Sequence, residues 1–243
     1  MVPLSLIIAL GLAALHIWAN KLQFSLAVPR SKWLSFAGGS AVAYIFLHLL
    51  PELQEWQEAV QEKHEDRLGF LEHPLYLVSL LGLTVFYGLE RMMKVHQDNR
   101  EKEGSDTEIF WLHIASFSLY NGLIGYLLRQ QEYENVGGLL LFALAMGFHF
   151  FVNDAGLLSH HKEDYQHKGR WVVSVAVLAG WALSLVIGFS EAGAGFLFAF
   201  LAGGVVLNVL KEELPEDRKS NFWAFLSGVI FYAGLLLWEA ALV

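Results

Sequence analysis

The stretch AGGSAVAYIFLHLLPEL, residues 37–53, has a near copy in AGGVVLNVLKEELPED, residues 202–217. Each begins with Ala-Gly-Gly and reaches Leu-Pro-Glu after an apolar run, and the two runs differ in length by one residue. An apolar helix repeated in both halves of a chain is typical of secondary transporters whose halves have inverted topology. The alternative is that small residues for helix packing and a Pro-Glu helix end recur by chance.

The composition around this repeat is that of a membrane protein. Of 243 residues, 55% are hydrophobic and only 16% are charged, and the mean hydropathy is +0.44. A helix needs about 20 mostly apolar residues to cross the hydrocarbon core. We therefore predict an all-α polytopic membrane protein with eight transmembrane helices in a single domain, residues 1–243. The approximate helix ranges are 2–20, 33–51, 74–90, 109–129, 136–158, 171–190, 192–211 and 222–243.

Basic residues indicate the orientation of these helices. If the N-terminus lies outside, thirteen of the 16 Lys and Arg residues fall in inner loops, and only Lys63, Arg67 and Arg129 fall outside. This asymmetry follows the positive-inside rule and predicts that both termini lie outside. The first apolar run has no basic residue before it, which favours a retained helix over a signal peptide. A short, cysteine-free chain with short loops suits a bacterial inner (plasma) membrane.

Polar side chains occur near the ends of the two repeated helices. At 3.6 residues per turn, His48 and Glu52 share one stripe of the second helix, and Asn208 and Glu212 share one stripe of the seventh. We expect these stripes to face protein, because a polar group facing lipid would lack partners. They are candidate mouth residues of a pathway, and a structural role at the helix ends remains an alternative.

The fourth and fifth helices carry polar groups in the middle of the membrane. His149 and Asn153 lie one turn apart on the fifth helix, and the same stripe continues to His160. Such groups at mid-depth cost free energy and commonly mark a substrate path, although a histidine bonded to a neighbouring helix is the simpler alternative. Asp154 points away from this stripe, and we expect it to pair with another helix. The candidate polar residues here are Ser118, Asn121, His149, Asn153 and Asp154, and His160 and His161 are candidates for the pathway or its mouth.

The chain resembles the ZIP family of divalent-metal transporters, most closely at FLHLLPE in the second helix and AGGVVLNVLKEELPE in the seventh. The resemblance implies an eight-helix bundle in which helices one to three and six to eight form an inverted repeat around the fourth and fifth. It also implies uptake of zinc, iron or a similar ion towards the cytosol through a site on those two central helices.

The sequence departs from the family pattern at that site. The family's His-Asn-x-x-Asp-Gly on the fourth helix corresponds to FSLYNG, residues 117–122, and its His-Glu-x-Pro-Glu on the fifth corresponds to HFFVN, residues 149–153. The resemblance thus implies a ligand set of His149 with Asn121 and Asn153, and with Ser118 and Asp154 nearby. Zinc prefers three or four nitrogen, sulfur or carboxylate ligands, and the chain has no cysteine, so we expect weak metal binding.

The expected partners are the lipid bilayer and a divalent metal cation as cargo, with no resident cofactor and no nucleic acid. A homodimer stays open. A ZIP-fold protein that has lost transport and acts as a membrane scaffold or regulator is the main alternative, and an uncharged cargo is another. An enzyme is not expected, because the metalloprotease pattern His-Glu-x-x-His is absent from the sequence.

Overall fold

All regular structure in the described part of the chain is helical. The computed structural model describes residues 2–18, 32–68, 72–100, 106–130, 136–213 and 221–241. Helix α2 comprises Lys32–Tyr44, a π turn at Ile45–Leu49 and Leu50–Leu68, and α6 comprises Lys162–Asp164, a π turn at Tyr165–Gly169 and Arg170–Val186. The other helices are α1 (Val2–Trp18), α3 (Pro74–Arg100), α4 (Asp106–Gln130), α5 (Val136–His160), α7 (Glu191–Glu213) and α8 (Phe222–Ala240).

Six of these helices are long and apolar enough to cross a membrane, namely α2, α3, α5, α6, α7 and α8. Helix α1 is apolar but only 17 residues long. Helix α4 has 25 residues but interrupts its apolar run with several polar side chains, including His113, Ser116 and Asn121. The all-α class is confirmed and the apolar helices agree with a membrane location, whereas the count of eight spans stays a prediction.

Helix α2 does not end at residue 51, where the sequence analysis placed its boundary. A proline inside a helix lacks an N–H group and crowds the carbonyl four residues earlier, so it commonly breaks the helix. Here the π turn at Ile45–Leu49 ends two residues before Pro51, and the Leu50 N–H bonds to the Ile45 carbonyl five residues back. This wider turn lets the helix pass the proline and continue to Leu68.

Two other helices also extend beyond their predicted ranges. Helix α3 runs to Arg100 rather than to residue 90, and α6 begins at Lys162 rather than at residue 171. In both places the helical backbone continues into polar sequence, because apolar length marks the membrane-crossing part of a helix and not the helix itself. The segment after α5 is therefore a nearly continuous helical extension that carries Tyr165 into the protein interior.

Helices α2 and α8 lie side by side and run in the same direction. The Asn221 N–H at the start of α8 donates to Ser35 Oγ at the start of α2, and further along Ser40 Oγ donates to the Gly228 carbonyl. A Cβ atom at Gly39 would overlap the carbonyl of Phe225, and one at Gly228 would overlap the backbone of α2. Glycine is thus required where these two backbones meet.

Helices α3 and α7 form a second pair with the same geometry. A Cβ atom at Gly203 would overlap the Ser79 carbonyl, and one at Gly82 would overlap the Phe200 carbonyl. Both helices then continue side by side in the same direction to an ion pair between Glu90 of α3 and Lys211 of α7. The contact positions on each helix are three residues apart in both pairs, so the two crossings correspond residue by residue.

A third close pair, α4 with α6, encloses the polar interior from the other side. Cβ atoms at Gly125 and Gly180 would overlap the carbonyls of Val177 and Gly122. Helices α2, α5 and α7 lie inside the bundle, with half or more of their apolar stretches buried, whereas α3 and α8 lie at its edge with 11% buried. Among the polar side chains of this interior, Asn121, His149 and Asn153 are almost fully buried.

Candidate functional site

A chain of three side chains joins α5 to α7 in the protein interior. Asn153 Nδ2 donates to His149 Nε2 at 2.8 Å, and Asn208 Nδ2 donates to Asn153 Oδ1 at 2.6 Å. His149 and Asn153 are only 2% and 4% exposed. Because an amide nitrogen can only donate, Nε2 of His149 carries a lone pair in this arrangement. The Tyr120 ring of α4 packs against the imidazole, with ring centroids 5.2 Å apart.

This chain contains His149 and Asn153 of the stripe predicted on α5, and it adds Asn208 of α7 to them. His149 and Asn153 face the same way because they are four residues apart on a helix. Asn208, predicted at a mouth of the pathway, instead bonds to the central pair. Asn208 lies one turn after Gly204 on α7, so both residues are on the same face of the helix and line the same cavity.

The two polar residues predicted on α4, Asn121 and Ser118, take no part in the described hydrogen bonds of this chain. Asn121 is 2% exposed, and its Oδ1 atom has no hydrogen-bond partner in the described residues. Ser118 Oγ is also buried without a partner there. An unsatisfied buried polar group costs about 1–3 kcal/mol. Both oxygens are thus available as acceptors for water or for a polar cargo.

A cavity of about 50 Å³ lies between α3, α4 and α7 and reaches the central chain. Asn208 and Tyr120 form part of its wall, and the ion-paired Glu90 and Lys211 lie along the same wall. Its volume suffices for a few water molecules. This cavity follows α7 from Asn208 to Lys211, and none of its described lining residues belongs to α5. The side chain of His160 lies outside the described residues.

Two histidines meet near this cavity. Nδ1 of His113, which lines the cavity, lies 2.6 Å from Nε2 of His161, which follows the end of α5. One ring must donate and the other accept, so a single proton lies between the two nitrogens. His161 was predicted at the pathway mouth, and the structure connects it to α4 through His113.

Asp154 belongs to a separate buried cluster, as its position on α5 predicted. Its Oδ1 atom lies 2.8 Å from His16 Nδ1 and accepts a short hydrogen bond from the Tyr165 hydroxyl. Asp154 and Tyr165 are fully buried, and His16 is 2% exposed. This cluster ties α5 to α1 and α6, so the described bonds of Asp154 lead away from His149.

His16 and Tyr165 were not among the residues predicted from the sequence. The available signal was that His16 is the only ionisable side chain of α1, and an intramembrane ionisable residue requires a partner. Tyr165 gave no comparable signal, because it lies in a polar segment that read as a loop. The phenyl ring of Phe150, 4.4 Å from the His16 ring and 6.3 Å from the His149 ring, lies between the two clusters.

The predicted mouth residues on α2 form a local pair. His48 Nε2 lies 3.5 Å from Glu52 Oε2, and both side chains are mostly buried. The side chain of Glu212, their predicted counterpart on α7, lies outside the described residues. The π turn that includes His48 places both groups on the same side of α2 as Tyr44, whose ring is 5.4 Å from the His48 ring.

The donor atoms at the centre are one imidazole nitrogen and amide oxygens. Within the described ranges, no three or more His, Asp or Glu side chains come together as a metal site would require. The arrangement can hydrogen-bond a polar or hydrated cargo, and it can coordinate a cation through neutral ligands only. Comparison of the chain with protein families, curated proteins and solved structures gave no match.

Proposed function

We propose that this protein is a membrane transporter of the ZIP-like plan, which moves a divalent metal cation such as zinc or iron towards the cytosol. The cargo would pass the polar centre formed by α4, α5 and α7. The observation that carries this proposal is the buried His149–Asn153–Asn208 chain beside a cavity that leads along α7 to Lys211. Buried polar groups at mid-depth are expensive and are commonly retained for transport.

Support for an inverted repeat comes from the two corresponding helix crossings. Phe36 and Gly39 of α2 occupy the positions that Phe200 and Gly203 occupy in α7. The same offset in residue number aligns Leu-Pro-Glu at residues 50–52 with Leu-Pro-Glu at residues 214–216. Their partners correspond too, since α8 packs on α2 as α3 packs on α7. In an inverted repeat of helices one to three and six to eight, α2 is equivalent to α7 and α3 is equivalent to α8. These packing contacts agree with that equivalence.

Cation binding at this centre would require a rearrangement of Asn153. Its amide now offers nitrogen to His149 and oxygen to Asn208. A half-turn of the amide would place its oxygen beside the lone pair of His149 Nε2, so that both could coordinate one cation. Two hydrogen bonds would be lost, and neutral ligands offset less of the cost of removing the hydration shell than carboxylates do. Binding should therefore be weak and release easy.

Metal titration of the purified protein in detergent tests this assignment. The double variant Asn121→Asp with Asn153→Glu should bind Zn²⁺ or Cd²⁺ more than about tenfold more tightly, because carboxylates are preferred zinc ligands. The matched control is Gln54→Glu with Gln61→Glu, which adds the same charge at exposed positions of α2. If the control and test variants bind metal equally, the side chains at positions 121, 149 and 153 do not form a cation site.

The second candidate function is that of a membrane scaffold or regulator without transport. It is favoured by the absence, within the described ranges, of three clustered His, Asp or Glu side chains. A scaffold would show no uptake of any metal, whereas a weakly binding transporter would show saturable uptake. Uptake by reconstituted protein therefore separates the two functions.

A further inference from the structure

Two grooves meet at the beginning of α2 and share Trp33 and Phe36 as a common wall. The first, of about 560 Å³, lies between α2 and α8 and is lined in part by Lys32, Asn221 and Trp223. The second, of about 520 Å³, lies between α1, α2 and α5. Its lining is entirely apolar and includes Leu12, Leu15, Leu144, Phe148 and Phe151.

The polar groove carries positive charge. Lys32 is exposed there, and α8 begins at the same place. Asn221 Oδ1 accepts the Ala224 N–H as an N-terminal cap, and the amides of Phe222 and Trp223, which precede Ala224, point out of the helix end. A helix N-terminus attracts phosphate through these amides and the helix dipole. None of the described residues that line either groove is acidic.

The end of the bundle that holds these grooves has the features of a membrane interface. Arg170 Nη1 donates to the Ile17 carbonyl, which places the end of α1 beside the part of α6 that follows its π turn. The starts of α2 and α8 are joined by the Ser35–Asn221 bond. Exposed tryptophans lie at the end of α1, near the starts of α2, α4 and α8, and after the π turn of α6, namely Trp18, Trp33, Trp111, Trp223 and Trp171. Tryptophan is enriched at the level of lipid headgroups.

We propose that the two grooves together bind one anionic phospholipid. Its phosphate lies at Lys32 and the first turn of α8, between the indoles of Trp33 and Trp223. One acyl chain extends past Phe36 into the apolar groove between α1, α2 and α5. A phospholipid fits both the charge of the first groove and the apolar character of the second, whereas a soluble anion fits only the first. In the predicted topology this end faces the cytosol, where the leaflet carries anionic lipid.

Native mass spectrometry of the protein in detergent, with phosphatidylglycerol or phosphatidylcholine of the same acyl chains, tests the proposal. Phosphatidylglycerol should bind in preference to phosphatidylcholine. Lys32→Gln should lower phosphatidylglycerol binding about fivefold, since one basic residue near a membrane surface contributes about 1 kcal/mol. Lys168→Gln is the matched control, because Lys168 is exposed near the same end of the bundle and already pairs with Asp164.

A second variant tests the acyl-chain groove without changing charge. Gly147 lies in the wall of the apolar groove, and a Cβ atom there makes only an ordinary contact with Leu15. Gly147→Leu should therefore fill the groove and reduce binding of both lipids. Equal binding of the two lipids, or equal effects of Lys32→Gln and Lys168→Gln, would overturn the proposal. Displacement of the lipid by inorganic phosphate, with Gly147→Leu having no effect, would overturn it in favour of a soluble-anion site.

Discussion

Replacing Asp154 by alanine should destabilise the fold more than any other single change in the cluster that joins α1, α5 and α6. The carboxylate is fully buried and holds both His16 and Tyr165 through one oxygen atom. Asp154→Ala leaves His16 Nδ1 and the Tyr165 hydroxyl without their partner, whereas Tyr165→Phe removes only one of the two bonds.

The size of the effect follows from the number of bonds lost. A buried polar group left unsatisfied costs about 1–3 kcal/mol, and side-chain hydrogen bonds inside membrane proteins average about 0.6 kcal/mol. For two orphaned groups we expect Asp154→Ala to lower the free energy of unfolding by about 2–3 kcal/mol. Tyr165→Phe should lower it by about 1 kcal/mol.

Equilibrium unfolding by sodium dodecyl sulfate in mixed micelles, followed by circular dichroism, measures these differences. Asp164→Ala is the matched control, because Asp164 is partly exposed and its described interaction is a helix-surface pair with Lys168, worth about 0.3–0.5 kcal/mol. Tyr165→Phe should add little in the Asp154→Ala background, since the bond it removes is already gone. The reasoning is refuted if Asp154→Ala costs no more than Asp164→Ala.

Cysteines introduced at Glu62 and Lys168 should react with an impermeant thiol reagent from opposite sides of the membrane, Glu62 from outside; labelling from the same side would contradict the predicted topology. Gly203→Val should abolish the folded monomer peak in size-exclusion chromatography, because its side chain would overlap the backbone of α3, while Gly234→Val, whose Cβ has open space, should leave the peak intact. Similar loss of the peak in both variants would mean that the crossing of α3 and α7 is not the cause.

The sequence predicted those features that depend on neighbours along one helix. Apolar runs gave the approximate positions of the helices, and the spacing of His149 and Asn153 gave their common face. The direction of Asp154, away from that face, followed from the same periodicity. These predictions needed no knowledge of how one helix packs on another.

Features that depend on packing between distant helices could not be predicted in this way. The bond from Asn208 to Asn153 and the cluster around Asp154 join residues far apart in the chain. The continuation of α2 past Pro51 depends on a π turn, which has no periodicity signal of its own. The cavity beside α7 arises from three helices, so no single helix reveals it.

Metal uptake by the purified protein in liposomes tests the central claim most directly. We predict saturable uptake of at least one of Zn²⁺, Fe²⁺, Mn²⁺ and Co²⁺, and its loss in folded His149→Ala. His73→Ala should transport normally, because His73 is an exposed residue before α3 and remote from the cavity lining. Absence of uptake for all four ions, or equal uptake by the wild type and His149→Ala, would contradict transport through the polar centre.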